Sequence, residues 1–150
     1  MKDSSQLKRL LKNLFWSQPL AVLATQENGQ PYGNLVAFVA TKDLKHLLFA
    51  TARATRKYTN ITIDPRVAMV MDNRTNQETD FQKAIVVTAM GSVEEVKGTE
   101  KSRFLKLYLS KHPYLEDFVK SPTCALLKVK VDTYYVVRRF QKVIEFHIKQ

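Results

Sequence analysis

Asn28-Gly29 lies between two strand-like runs, and this pairing constrains the fold more tightly than any other feature of the 150-residue sequence. An Asn-Gly pair readily takes the two positive φ angles of a two-residue hairpin, whose twist matches that of the strands it joins. The run before it, Leu20-Ala21-Val22-Leu23-Ala24-Thr25, has the apolar character of a buried strand, and Pro31 to Thr41 is its partner. The chain therefore commits early to antiparallel pairing. The Lys42-Asp43 turn leads to a third strand at His46 to Thr51, and a fourth follows at Arg66 to Asp72. Ala84 to Val96 is rich in β-branched residues, with Gly91 marking a bulge or bend. Ala125 to Val131 and Tyr134 to Val137 read as two further strands, with a last one at Val143 to His147.

Helical spacing interrupts this series in three main places. Leu7, Leu10, Leu11, Leu14 and Phe15 form one face of an opening helix, with Ser4 and Ser5 as capping residues and Pro19 as its end. Thr55 to Ile63 forms a second helix, stopped by Asp64-Pro65. Thr99 introduces a third through Phe104, Leu105, Tyr108 and Leu109, and a short helical turn follows Pro113. Asn73 to Asp80 reads as a polar loop. Hairpin-linked strands with about three peripheral helices give a mainly β, α+β fold, an antiparallel sheet that curls into a barrel because closure hides its edges. With neither an internal repeat nor a linker, residues 1–150 are expected to form one domain.

Lys8, Arg9 and Lys12 interrupt any apolar core that a signal peptide would need, and no run approaches the roughly 20 apolar residues of a membrane helix. Cys124 is the only cysteine, so no internal disulfide forms, and a soluble cytoplasmic protein is the expectation. The formal net charge of +10 favours anionic partners. Nucleic acid is a poor fit, because Phe15, Trp16, Tyr134 and Tyr135 fall where packing explains them.

The usual catalytic signatures are missing. His46, His112 and His147 are scattered without metal-ligand spacing, and Cys124 has no neighbouring His. The sequence contains no nucleophile elbow, no GxGxxG and no P-loop. Its one distinctive cluster is TARATRKYTN, Thr51 to Asn60, where Arg53, Arg56 and Lys57 crowd the start of a helix. Cations there oppose the helix dipole, at a cost of some tenths of a kcal/mol each. The segment alone is equally consistent with an anion site and with a basic surface turn.

The order of LAVLAT, NGQP, LFAT, TRKYTNI and DPRVAM, spread over about Leu14 to Val137, resembles the FMN-binding split barrels related to pyridoxamine 5′-phosphate oxidase. The resemblance implies a homodimer with FMN in clefts between the subunits. It places the flavin ring against Asn34, Leu35 and Val36, the strand end Thr51 near the ribityl chain, and the phosphate on Thr55, Arg56 and Lys57. Arg53 is left outside this grip, and Asn73 is a polar candidate beside the ring. It also implies an FMN-dependent oxidoreductase or electron carrier of unstated substrate. Oxidation of vitamin B6 is not expected, because the chain finishes RRFQKVIEFHIKQ rather than with the family's Trp-containing, Arg-Leu-x-Pro segment. Arg138 and Arg139 in that ending read as exposed barrel-end charges, with an acidic substrate as their functional alternative. Relatives on the same barrel bind haem or a deazaflavin, so the other reading is a non-catalytic module for one of these or for another phosphate-bearing ligand, with His147 as its haem ligand.

Overall fold

A computed structural model describes residues 2–139 and 142–150. Asn28 and Gly29 take φ angles of 53° and 80°. They join β1 (Leu20–Glu27) to β2 (Gln30–Ala40) in register from Glu27 opposite Gln30 to Leu20 opposite Ala37. β3 (His46–Ala52), β4 (Arg66–Asp72), β5 (Ile85–Glu95), β6 (Cys124–Arg138) and β7 (Lys142–His147) complete an antiparallel sheet in the order β3-β2-β1-β4-β5-β6-β7. A further pairing of β3 with β6 closes six strands into a barrel and leaves β7 as an extension.

β6 makes both closure and extension possible. Cys124 to Lys130 pair with β3, while Thr133 to Arg138 pair with β7. The two strands expected here, Ala125 to Val131 and Tyr134 to Val137, are thus one strand bent through a bulge. Met90 faces Thr133 and Gly91 faces Val131, so Asp132 is the extra residue. Gly91 is required at this point because a Cβ there would stand 2.2 Å from the Lys130 carbonyl oxygen.

The helices are α1 (Lys2–Ser17), α2 (Arg56–Ile63), α3 (Asp80–Lys83), α4 (Glu100–Lys111) and α5 (Glu116–Lys120), with a 3-10 turn over Pro113–Leu115. Among the described residues α1, α2 and α4 are the three helices that periodicity predicts, and the 3-10 turn with α5 is the short helical turn expected after Pro113. α3 is too short to show a 3.6-residue pattern. α1 also starts before Ser4 and Ser5, which lie inside it rather than capping it. None of the described helices is long and apolar enough to cross a membrane.

Leu11, Leu14 and Phe15 of α1 pack into the main core with Leu23, Phe38, Phe49, Met69 and Tyr134. α4 and α5 cover the outer side of β2, β3 and the first half of β6 through Val39, Leu48, Phe104, Tyr108, Val119 and Leu126. The remaining outer face presents a row in register across five strands, Leu35–Val22–Val70–Thr88–Tyr135. On this face Leu35, Leu20 and Met90 keep 59%, 49% and 42% of their surface exposed.

Candidate functional site

The barrel is split where β3, paired with β6 along its whole length, leaves β2. β2 pairs with β3 only through Phe38, Val39 and Ala40, whereas β3 beyond Phe49 runs alongside β6 as far as Ala52 opposite Cys124. The edge of β2 from Gln30 to Ala37 that faces away from β1 therefore carries no strand. Alternation along that edge sets the roles of its residues. Leu35 faces outward and is exposed, while Val36 is buried in the core and offers a ligand only its backbone. Asn34 shares the inward parity of Val36, and its Oδ1 is buried without a hydrogen-bond partner.

At the end of β3 the chain turns into α2 through Thr55, whose extended backbone (φ −119°, ψ 157°) and hydroxyl cap the helix by accepting Tyr58 N–H at 3.3 Å. Thr51, 1% exposed, supports the cap from below with its Oγ1 3.1 Å from that of Thr55. Thr51 therefore positions Thr55 rather than reaching a ligand with its own side chain. The N–H groups of Arg56 and Lys57 precede the first intrahelical bond, Thr59 N–H to Thr55 O at 3.1 Å, and point out of the helix end.

The three cations of this turn have different fates. Arg53 is committed elsewhere: its guanidinium donates to both carboxylate oxygens of Glu95, at 2.9 and 2.7 Å, and to the Tyr58 hydroxyl at 2.8 Å. These bonds raise the Arg53 guanidinium and lower the Glu95 carboxyl. Arg56 is exposed and lies over the Tyr32 ring, 5.9 Å from its centroid. Lys57 is half-buried, and among the described residues no carboxylate pairs with it. Burial pushes its ammonium below the ordinary lysine range.

Thr55 and Arg56 also line a cleft of about 410 Å³ with Glu27, Ala54, Thr59 and Asn60. Asn60 is 1% exposed; its Nδ2 donates to Thr25 Oγ1 at 2.9 Å, and its Oδ1 has no partner. Sequence reasoning did not single out Glu27 or Asn60. The signal was an amide beside Ile61, on the face of α2 that packs inward.

The other predicted residues lie apart from this junction. Asn73 fastens the start of its loop to β5, accepting Ile85 N–H on Oδ1 at 2.7 Å. Arg138 and Arg139 are exposed at the end of β6, where they line a small cleft with Gln82 and Lys83. His147 contacts Thr133 Oγ1 through Nδ1 at 3.1 Å and Glu145 through Nε2 at 3.3 Å, so both ring nitrogens are engaged. Cys124 is buried, with its thiol pushed up by burial. His112 is buried, with Nε2 2.7 Å from the Phe38 carbonyl and Nδ1 3.1 Å from the Tyr114 hydroxyl.

Comparison with known proteins agrees with this architecture. No curated protein matches the sequence. Among solved structures, a haem-binding protein from Mycobacterium smegmatis superposes with a TM-score of 0.82 at 13% identity, over 93% of this chain but only 57% of its own. General Stress Protein 26 from Bacillus anthracis str. Sterne aligns over 95% of this chain and 99% of its own, with a TM-score of 0.71 and 21% identity. A FAD-binding protein from Mesorhizobium loti aligns over 85% and 90%, with a TM-score of 0.66 and 18% identity. At such identities these likenesses speak to the fold alone. The sequence itself matches the profile described as pyridoxamine 5′-phosphate oxidase over residues 7–138. With the split barrel and its capped β3–α2 junction in place, the chain belongs to the pyridoxamine 5′-phosphate oxidase family.

Proposed function

We propose that this protein is a flavoprotein that binds FMN by its phosphate at the start of α2 and serves as an FMN-dependent oxidoreductase or electron carrier. The observation that carries the reading is the adjacency of two features: an unpaired backbone edge on β2, and a capped helix start whose Lys57 has no carboxylate partner. A phosphate there would accept from the N–H groups of Arg56 and Lys57 and gain the Lys57 charge, which also relieves the cationic crowding at the helix end.

The residues present fit the rest of such a ligand. Leu35 supplies an exposed apolar shelf. The open β2 edge supplies backbone donors and acceptors for a ring edge, and Thr51 and Thr55 fix the distance between shelf and phosphate socket. When bound, flavin supplies hydride or single-electron transfer, and this chain contributes binding, orientation and electrostatics. The family membership and the FAD-binding neighbour support a flavin as the ligand class.

A homodimer belongs to the same proposal. The Leu35–Val22–Val70–Thr88–Tyr135 row borders the open β2 edge and begins at the exposed Leu35, so a second copy on this face would wall in the ring. Light scattering on the purified protein tests the dimer. The cofactor is tested by an absorbance spectrum, then by FMN titration with flavin-fluorescence quenching and thermal melting, and then by anaerobic reduction with NADH and NADPH. A colourless protein that FMN neither quenches nor stabilises refutes the proposal. A Soret band on haem titration would favour the binding-module reading instead.

A further inference from the structure

Trp16, the only tryptophan in the chain, keeps 57% of its surface exposed, although its neighbour Phe15 is 1% exposed in the core. Packing therefore accounts for Phe15 and not for Trp16. The indole borders a hollow of about 330 Å³ between α1 and α4, lined by the apolar Phe15, Ala40 and Leu107, in which the charged residues are Lys12 and Lys42. A second hollow of about 520 Å³ shares Thr41, Lys42 and Leu107 with the first and adds His46, Arg103 and Phe104. Together they make one groove at the start of β3, whose other end carries the Thr55 junction. Lys111 fixes the walls of the groove: its Nζ donates to the Phe15 and Gln18 carbonyls at 2.6 and 2.7 Å and so fastens the end of α4 to the end of α1. Both hollows lie within the size range of small-molecule sites, and the clamp forms them before anything enters.

The charges along this groove do not balance. Its two carboxylates are occupied: Glu100 pairs with Lys128, and Asp43 accepts from Thr41 Oγ1 at 2.7 Å and from Lys45 N–H at 3.0 Å. Among the described residues Lys12, Lys42 and Arg103 have no carboxylate partner. The half-buried His46 imidazole lies 6.1 Å from the Phe104 ring, and among the described residues its ring nitrogens have no hydrogen-bond partner. From these observations we infer that the groove binds a small amphipathic acid, an alkyl chain ending in one carboxylate. The chain lies along Trp16 and Leu107, in the hollow that no acidic residue lines. The carboxylate lies in the wider hollow, where it accepts from Arg103 and His46 beside the Lys42 charge. This second site goes beyond the flavin proposal and does not depend on it.

The test titrates octanoate, octan-1-ol and octylammonium separately onto the purified protein and reads the emission of Trp16, which no second tryptophan obscures. Octanoate is expected to shift that emission to the blue, because the chain replaces water on the exposed indole. Octanol and octylammonium are expected to bind about tenfold more weakly or worse, the worth of one hydrogen bond to a charged group. Affinity is expected to rise roughly fourfold for each methylene added from hexanoate to decanoate. Lys42→Glu and Arg103→Glu, both at exposed positions, are expected to lower octanoate affinity about tenfold while leaving the melting temperature unchanged. An emission that octanoate does not move overturns the inference. Equal binding of the three head groups, or octanoate binding that neither substitution weakens, also overturns it and marks a plain apolar contact instead.

Discussion

Replacing Lys57 with Met removes a charge and keeps most of the side chain's bulk. Burial already disfavours that charge in the ligand-free protein, where no carboxylate offsets it. The substitution is therefore expected to leave the thermal stability of the flavin-free protein unchanged or slightly raised. Flavin binding should respond in the opposite direction. A hydrogen bond to a charged group contributes about 1.5–3 kcal/mol, so affinity should fall roughly tenfold to more than a hundredfold. The pH dependence carries the same signature. Lys57 has a depressed pKa in the free protein, and a phosphate beside it would raise that pKa again, so flavin binding takes up a proton in the alkaline range. Affinity should weaken as pH rises through the free-protein Lys57 pKa, and this weakening should be absent in Lys57→Met. Paired melting curves and flavin titrations over pH 7 to 10.5 measure both effects. Arg53→Ala is the control: its guanidinium is bound to Glu95 and Tyr58, so it should lower stability while changing flavin affinity far less. If Lys57→Met leaves affinity unchanged, or if Arg53→Ala is the more damaging to binding, the assignment of the socket is wrong.

Gly91→Ala drives a methyl group into the Lys130 carbonyl at the β5–β6 bulge. Backbone on the receiving side cannot swing away, so urea denaturation should show a loss of about 3 kcal/mol; a near-neutral variant would mean that the seam is loose. His112 sits between the Phe38 carbonyl and the Tyr114 hydroxyl, and burial, together with the neighbouring Lys111 charge, lowers its pKa. The neutral ring is favoured by the fold, so its contribution is complete above the unfolded pKa of about 6.5 and is lost as pH falls below it. Melting temperatures from pH 8 to 5 should drop more steeply for the wild type than for His112→Gln; parallel curves would exclude His112 as the cause.

Local chemistry was enough to place the features that a short stretch of chain determines alone. Asn28-Gly29 announces its hairpin because positive φ at two successive residues is a property of those residues. Thr55 announces its helix for a similar reason, since the cap bond to Tyr58 spans one turn. Features set by distant partners were not legible in the same way. The Asp132 bulge breaks the apolar pattern of β6, so one strand reads as two, and only its continuous pairing with β5 rejoins them. Ser4 and Ser5 look like caps, but α1 extends past them, its inner face held by the barrel core. Arg53 looks like Arg56 until Glu95, far along the chain, claims it. Asn60 reads as one polar residue among several in TARATRKYTN, and becomes distinctive only where Thr25 binds one half of its amide and nothing binds the other.

The split and the proposed site share one physical origin in the parting of β3 from β2, while β3 stays on β6 along its whole length. Phe49 opposite Phe38 is the last pair between β3 and β2 in that direction, and the next residues, Ala50 to Ala52, pair with β6 alone. A strand that stayed on β2 would satisfy the edge of residues 30–37 and carry Thr51 along it, leaving no room for a ring. Because β3 departs, the β2 edge opens, and the same departure delivers Thr55 and the start of α2 beside the gap. Arg53 then sets the angle of the junction: its paired bonds to Glu95 fasten the turn to the end of β5, two strands away across the closed barrel. The cation nearest β3 is thus consumed in holding the turn, which frees Lys57 and Arg56 for an anion. A basic surface turn would need none of this arrangement, and for that reason the geometry favours the anion site where the sequence segment alone left the two readings level.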